Sequence, residues 1–197
     1  MLDVSAQPIA GATLDDFDPL QLNRLKEIIR SNPGGEKTLL ELTDEELEFA
    51  LRLISKDGDK LIPTMTGLLL LGKSDSLGRL VPTAKATFQV LEGTNVKVNE
   101  ETSKPILEVL ELFQSYIKPW NSENEFEYDL FRIPVPEFSY AAIREGLINA
   151  FCHRDYSMLG NVRVLIDDEG MSITNPGGFI EGVNINNLLI VEPHGRN

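Results

Sequence analysis

Apolar residues recur every three to four positions in several stretches of the chain, the period of a helix with one buried face. These stretches are residues 20–30, 104–117 and 140–152. A further helix is predicted over residues 44–54, because Thr43 and Glu46 form the pattern in which each side chain accepts from the other residue's backbone N–H. Residues 65–72 are almost wholly apolar, so their period does not distinguish a buried helix from a buried strand.

Other stretches alternate apolar and polar residues at every second position, the period of a strand with one face toward the core. These stretches are residues 83–93, 125–131 and 162–166. Residues 96–98 and 171–174 are predicted to be shorter extended pieces, and a turn at residues 168–170 forms a hairpin. Together the elements predict an α+β fold with an antiparallel or mixed sheet and helices on one face.

The order of these elements divides the chain into three segments. Residues 1–12 are expected to be an irregular tail or linker, because they show no periodic pattern. Residues 13–93 are expected to be a mainly helical segment that ends in a strand, and residues 94–197 a second domain. At 197 residues and 42% hydrophobic content, the chain is long enough for one large domain or two small ones.

No apolar run approaches the ~20 residues that would span a bilayer, so no membrane partner is expected. The N-terminus lacks the basic and apolar regions of a signal peptide. The single cysteine, Cys152, excludes an internal disulfide framework and fits a reducing compartment. We therefore expect a cytoplasmic protein.

The charge of the chain argues against nucleic acid as a direct partner. The sequence has 31 acidic and 18 basic residues, a formal net charge of −13. Its Lys and Arg residues are scattered, whereas a surface that binds duplex DNA clusters them against the phosphates. DNA is therefore expected to bind only through segments outside this chain.

Glu145 and Asn149 are four residues apart in the helix predicted at residues 140–152, so their side chains are expected on one face, a turn apart. A carboxylate there could activate a water molecule, and an amide could contact a metal or a phosphate. The alternatives are a carboxylate that is solvated or paired with Arg144 or Arg163, and an amide that bonds a neighbouring loop.

Polar residues 153–156 follow this helix, and Asn-Pro-Gly-Gly at residues 175–178 follows the hairpin. Residues 153–156 could line a ligand pocket or form a polar network at the C-terminal end of the helix, where His and Arg favour the helix dipole. Two consecutive glycines let a ligand approach the backbone closely, but the same four residues are equally typical of a turn.

The sequence Arg-Glu-Gly-Leu-Ile-Asn-Ala at residues 144–150 resembles the N-box helix of the GHKL ATPases, which include gyrase and the histidine kinases. The resemblance implies that Glu145 is the general base for the attacking water and that Asn149 is a ligand of Mg²⁺. It also implies a site for ATP. The further nucleotide-binding residues that it implies are His153, Asn175, Gly177 and Gly178. The family has Asp where this chain has Asn175, so the alternative is a non-catalytic interaction or dimerisation module that keeps the fold without nucleotide.

His-Arg-Asp-Tyr-Ser at residues 153–157 and Ile-Thr-Asn-Pro-Gly-Gly-Phe at residues 173–179 resemble one group of bacterial proteins more closely. Those proteins are described as transcriptional regulators or as ATP-dependent DNA helicase RecG-related, and a Schlafen-type (AlbA-like) domain precedes their GHKL-like domain. The resemblance implies that residues 94–197 are a GHKL ATPase-like sandwich truncated at its C-terminal end. It implies a weak ATPase, whereas helicase activity is not expected because the chain has no phosphate loop. A homo-oligomer is left open.

Overall fold

The computed structural model describes residues 4–34, 36–128 and 131–178. These residues form two compact units. Of these described residues, the first unit contains residues 4–34, 36–84, 103–108 and 178, and the second contains residues 85–102, 109–128 and 131–177. The combination of helices with an antiparallel and a mixed sheet confirms the α+β class.

The first unit combines short helices with one hairpin. Its helices are α1 (Pro19–Ser31), α2 (Asp44–Ala50), α3 (Met65–Leu71) and α4 (Ser74–Leu80), and its antiparallel strands are β1 (Ile54–Asp57) and β2 (Lys60–Pro63). Leucines fill the core between them, with almost no exposed surface at Leu47, Leu53, Leu68, Leu71 and Leu77. Residues 65–72, which the sequence left undecided, are therefore mainly a buried helix.

Helix α2 begins as predicted but ends earlier. Its capping box is present, since Glu46 N–H donates to Thr43 Oγ1 and Thr43 N–H donates to Glu46 Oε2. The predicted extension to residue 54 is wrong, because Arg52 takes a positive φ of 55° and Leu53 N–H donates back to the carbonyl of Glu48 at 2.8 Å. This Schellman-type ending turns the chain into β1.

Residues 4–12 are not a free tail. Ile9 N–H donates to the carbonyl of Pro63, and Met65 N–H donates to the carbonyl of Gln7, each at 3.0 Å. Ala12 is buried at 7% exposure. The segment lacks a periodic pattern because single backbone bonds, rather than an apolar face, attach it to the rest of the first unit.

Asp16 joins the start of the first unit to α4. Its Oδ2 accepts from Thr13 N–H at 2.8 Å, and its Oδ1 accepts from Ser76 Oγ at 2.7 Å and from Arg79 Nη2 at 2.6 Å. Burial by itself would raise the pKa of the Asp16 carboxyl, but the bonds from Thr13 and Ser76 and the charge of Arg79 together lower it.

The Asp16→Asn variant is expected to lower the free energy of unfolding at pH 7 by about 2–3 kcal/mol, because the neutral amide loses the charge-assisted bonds of a buried carboxylate. Since the pKa is lower in the folded state, this stabilisation is present above the unfolded-state pKa of about 4 and is lost as the pH falls through the folded-state value. Urea unfolding at pH 7 and in acid measures both effects. Asp18→Asn is the control, because Asn caps α1 as well as Asp does.

The second unit is built on a four-stranded sheet. Its strands are β3 (Ala86–Glu92), β4 (Asn95–Thr102), β7 (Val162–Asp167) and β8 (Gly170–Thr174), in the order β4-β3-β7-β8. Strands β3 and β7 are parallel, and the other two pairs are antiparallel. The strand that the sequence placed at the end of the first segment thus lies at the centre of the second unit, paired with a strand about 75 residues later.

Two helices pack on the same face of this sheet. Phe88, Val164 and Ile173 are register partners across β3, β7 and β8, so they share a face. The ring of Phe113 on α5 (Ile106–Ile117) lies 6.0 Å from the ring of Phe88, and α6 (Tyr140–Cys152) lies so close to Ile173 that a Cβ on Gly146 would meet its Cδ1 at 2.9 Å. The helices of this unit therefore lie on one face, as predicted.

A separate hairpin of β5 (Glu123–Tyr128) and β6 (Phe131–Pro136) precedes α6. The predicted strand over residues 125–131 is in fact divided between these two strands, and residues 129–130 lie outside the described residues. At the base of the hairpin, the side chain of Asn121 exchanges two hydrogen bonds with the backbone of Phe138. No described helix is long and apolar enough to cross a membrane.

Candidate functional site

Helix α6 presents Glu145 and Asn149 to solvent. Its other face is buried, through Ile143, Leu147, Ala150 and Phe151. Asn149 Nδ2 donates to Glu145 Oε1 at 3.0 Å, so the two side chains share one exposed face as their spacing predicts. Asn149 Oδ1 and Glu145 Oε2 take no part in this bond, so both oxygens remain as acceptors for a ligand.

The predicted alternative of a Glu145–arginine pair is not seen. Within residues 4–34, 36–128 and 131–178, neither Arg144 nor Arg163 forms an ion pair with Glu145. Ser139 occupies the N-cap position of α6, but its side chain makes no capping hydrogen bond. The N-terminal end of α6 is therefore set by backbone geometry and packing rather than by a side-chain cap.

The residues after α6 hold the turn at residues 175–178 in place. Asp155 N–H donates to the carbonyl of Pro176 at 2.9 Å. A Cβ on Gly177 would lie 3.1 Å from the carbonyl oxygen of His153, so only glycine fits this approach without a shift. The turn that the sequence predicts as a nucleotide loop is thus attached to the C-terminal end of the helix that carries Glu145 and Asn149.

Arg154 and Tyr156 form a buried network beside this turn. Arg154 is 5% exposed, its Nη2 donates to the carbonyl of Gly160 at 2.5 Å, and its guanidinium lies 4.6 Å from the centre of the Tyr156 ring. The Tyr156 hydroxyl donates to the carbonyl of Phe151 at 3.3 Å, and burial raises its pKa. Of the two alternatives for residues 153–156, Arg154, Asp155 and Tyr156 fit the network that closes the helix.

The other candidate residues are more exposed. The side chain of His153 is exposed at the C-terminal end of α6. Asn175 is half-buried, and its Nδ2 lies 3.4 Å from the carbonyl of Pro176, a distance at which a hydrogen bond is weak. Gly178 is exposed and would accept a Cβ without any contact within 4 Å. The described contacts join Gly177 to His153 and Asp155, but none joins the turn to the side chains of Glu145 or Asn149.

The residues fit a magnesium–nucleotide ligand in their chemistry. Within the described ranges, no group of three or more His, Cys, Asp or Glu side chains could hold a metal ion by itself. Mg²⁺ in nucleotide sites typically takes only one or two protein oxygens, with phosphates and waters as its other ligands. Asn149 Oδ1 and Glu145 Oε2, which take no part in the bond between these two exposed side chains, match that requirement.

A second feature lies on the opposite face of the sheet, where the sequence predicted no site. A cleft of about 530 Å³ is lined by Thr87, Gln89, Asn99, Glu101, Gly160, Asn161 and Arg163. Most of these side chains lie at the polar positions of strands in which apolar and polar residues alternate. Sequence reasoning identifies such positions one strand at a time, but it cannot show that they come together across β4, β3 and β7.

Comparisons with known proteins give a fold but no activity. A family described as "Domain of unknown function (DUF8451)" matches residues 2–87, less than half of the chain. The crystal structure of the DIP2311 protein from Corynebacterium diphtheriae is similar, with 26% sequence identity and a TM-score of 0.71 over 95% of this chain. This chain covers 36% of that protein, so it spans about a third of its length. No curated protein matches the sequence.

Proposed function

We propose that the second unit is a GHKL-like regulatory domain of a bacterial transcriptional regulator, and that it binds ATP with Mg²⁺ at the exposed face of α6. The observation that carries the proposal is the Glu145–Asn149 pair, exposed and hydrogen-bonded at 3.0 Å on the same helix whose C-terminal end holds the turn at residues 175–178. The resemblance of residues 144–150 and 173–178 to that family supports it independently of the coordinates.

Each residue has a defined role in this proposal. Asn149 Oδ1 would contact the metal ion, which would neutralise phosphate charge. Glu145 would accept a proton from a water molecule at its Oε2, which takes no part in the bond with Asn149. Asn175 accepts from the amino group of adenine through its amide oxygen, a weaker acceptor than the carboxylate of the GHKL family. The exposed glycines 177 and 178 admit the ligand close to the backbone.

Titration of Mg-ATP into the protein by calorimetry tests this function. We expect saturable heat for the wild type and at least about tenfold weaker binding for Asn149→Ala, because a metal contact is lost. Asn124→Ala is the matched control, since Asn124 is also exposed but lies on β5. Absence of heat in the wild type, or equal affinity in the Asn149→Ala variant, would contradict the proposal.

A second candidate, an interaction or dimerisation module without nucleotide, is favoured by the hairpin of β5 and β6. Phe126 and Ile133 are register partners, and they are 61% and 47% exposed. Val135 lies two residues along the same face and is 46% exposed. An exposed apolar row on an isolated two-stranded hairpin is typical of a surface that binds another chain.

Ile133→Ser separates the two candidates. If the hairpin joins two copies of the chain, analytical ultracentrifugation will show a wild-type dimer that Ile133→Ser weakens by about tenfold or more, since an apolar anchor is lost. Lys118→Ser is the control, because Lys118 is exposed but lies before the hairpin. A wild-type monomer at all concentrations excludes dimerisation through this hairpin and leaves the nucleotide proposal standing.

A further inference from the structure

The face of the four-stranded sheet that points away from α5 and α6 carries an ordered set of polar side chains. Glu101, Thr87 and Arg163 are register partners across β4, β3 and β7, so they form one row. Asn99 and Gln89 form the next row on the same face, since successive residues of a strand alternate between faces. On β3 and β7 the opposite face is apolar and buried, through Ala86, Phe88, Val90, Val162, Val164 and Ile166.

Hydrogen bonds connect most of these side chains to one another. Asn161 Nδ2 donates to Thr87 Oγ1 at 2.8 Å and to Glu101 Oε2 at 2.9 Å. Lys85 Nζ lies 2.7 Å from Glu101 Oε1, and Gln89 Nε2 donates to Asn99 Oδ1 at 2.6 Å. The bonds from Lys85 and Asn161 lower the pKa of the Glu101 carboxyl, which is therefore ionised at neutral pH. A ligand meets groups that are already oriented, which reduces the entropy lost on binding.

Gly160 lines the cleft through a backbone conformation that favours glycine. Its carbonyl accepts from the buried Arg154, and its φ of 112° belongs to the region that favours glycine. A Cβ at this position would lie 3.1 Å from Pro176 Cγ. The backbone at Gly160 is therefore positioned by the bond from Arg154 and lies beside Pro176.

Arg163 is the cationic group of the cleft. It lines the cleft and is exposed, and in the part of the chain that the structure describes it has neither a hydrogen bond nor an ion pair. A guanidinium has planar donors that match the oxygens of a carboxylate or a phosphate. In this row the cation Arg163 on β7 and the anion Glu101 on β4 lie on either side of Thr87 on β3.

The lining excludes several classes of ligand. Among the described residues, every lining residue is polar or glycine, so an apolar ligand would find little apolar contact. None of these lining residues is aromatic and able to stack a base, and the net charge of −13 repels a polyanion, so a nucleic acid strand is unsuitable. The amides, carboxylate and guanidinium of the lining suit a small molecule that combines several hydroxyl groups with one oxyanion. Adjacent hydroxyls donate to carboxylate and amide oxygens and accept from amide N–H groups, the groups that line the cleft.

We propose that this cleft binds a monosaccharide that carries one carboxylate or phosphate, with the oxyanion on Arg163 and the hydroxyls on Glu101, Asn99 and Gln89. The volume of about 530 Å³ is within the range of small-molecule sites. The site lies on the other face of the sheet from Glu145 and Asn149, so it does not depend on nucleotide binding.

The test is titration of the ¹⁵N-labelled protein with glucose 6-phosphate, gluconate, glucose and inorganic phosphate, followed by NMR. We expect saturable shifts of the amide signals of residues 87–89, 99–101 and 160–163 with at least one of the two anionic sugars. Comparison of glucose 6-phosphate with gluconate shows whether the site prefers a phosphate or a carboxylate. Arg163→Gln is expected to weaken that binding at least about tenfold, to the level of glucose. Arg30→Gln, an exposed arginine on α1, is the control and is expected to bind like the wild type.

Three outcomes would overturn the proposal. The first is the absence of saturable shifts below about 10 mM for both anionic sugars, which corresponds to no specific affinity. The second is binding of inorganic phosphate as tightly as glucose 6-phosphate, which would remove any role for the hydroxyls. The third is equal affinity in the Arg163→Gln variant. None of these outcomes bears on Mg-ATP binding at α6, so failure of this site and failure of the nucleotide proposal are distinguishable.

Discussion

Gly67→Ala is expected to lower the free energy of unfolding of the first unit by about 3 kcal/mol. Gly67 lies within α3, and a Cβ there would meet the carbonyl oxygen of Leu53 at 1.9 Å and the Cζ of Phe17 at 2.9 Å. Backbone atoms cannot rotate away from such a clash, so either α3 or the segment around Leu53 must move. Because α3 is the buried helix of this unit, the movement also disturbs its leucine core.

Gly78→Ala is the matched control for this effect. Gly78 is exposed within α4, and a Cβ at this position would meet nothing within 4 Å. Alanine has the higher helix propensity, so this variant is expected to gain up to about 1 kcal/mol. Urea unfolding of the two variants therefore gives changes of opposite sign. Stabilisation by both substitutions would show that α3 does not lie against Leu53.

Phe113→Ala is expected to lower the free energy of unfolding of the second unit by about 4 kcal/mol. Phe113 is 0% exposed, and its ring contacts Phe88 on β3 and Tyr116 on α5. Removal of the ring leaves a cavity between α5 and the centre of the sheet, where neighbouring side chains can fill it only in part.

Phe126→Ala is the control for Phe113→Ala, because it removes the same atoms from a ring that is 61% exposed on β5. Its cost is expected to be below about 1 kcal/mol in the monomer. Thermal or urea unfolding followed by circular dichroism measures the difference between the two variants. Equal costs would contradict the packing of α5 against the sheet.

The sequence predicts best where one local pattern determines the structure. Thr43 with Glu46 predicts the start of α2, and the alternation around the turn at residues 168–170 predicts the hairpin of β7 and β8, as observed. The end of α2 could not be predicted, because its left-handed residue is Arg52 and not glycine. The place of β3 could not be predicted either, because its parallel partner β7 is distant in the sequence.

The candidate sites show the same difference between local patterns, which the sequence predicts, and contacts between distant residues, which it does not. The shared face of Glu145 and Asn149 follows from their spacing on one helix, and the structure adds that they are bonded to each other. The attachment of the turn at residues 175–178 to Asp155 rests on a backbone bond that no side-chain pattern encodes. The polar cleft depends on the register of three strands, so its residues have no common signature in the sequence.

Mapping a bound nucleotide on the protein shows whether α6 and the turn at residues 175–178 bind Mg-ATP together, as we propose. The ¹⁵N–¹H spectrum is recorded while a non-hydrolysable ATP analogue is added with Mg²⁺. We expect saturable shifts for the amides of residues 145–155 and 175–178, which Asn149→Ala weakens. An unchanged spectrum, or shifts confined to other parts of the protein, would contradict it.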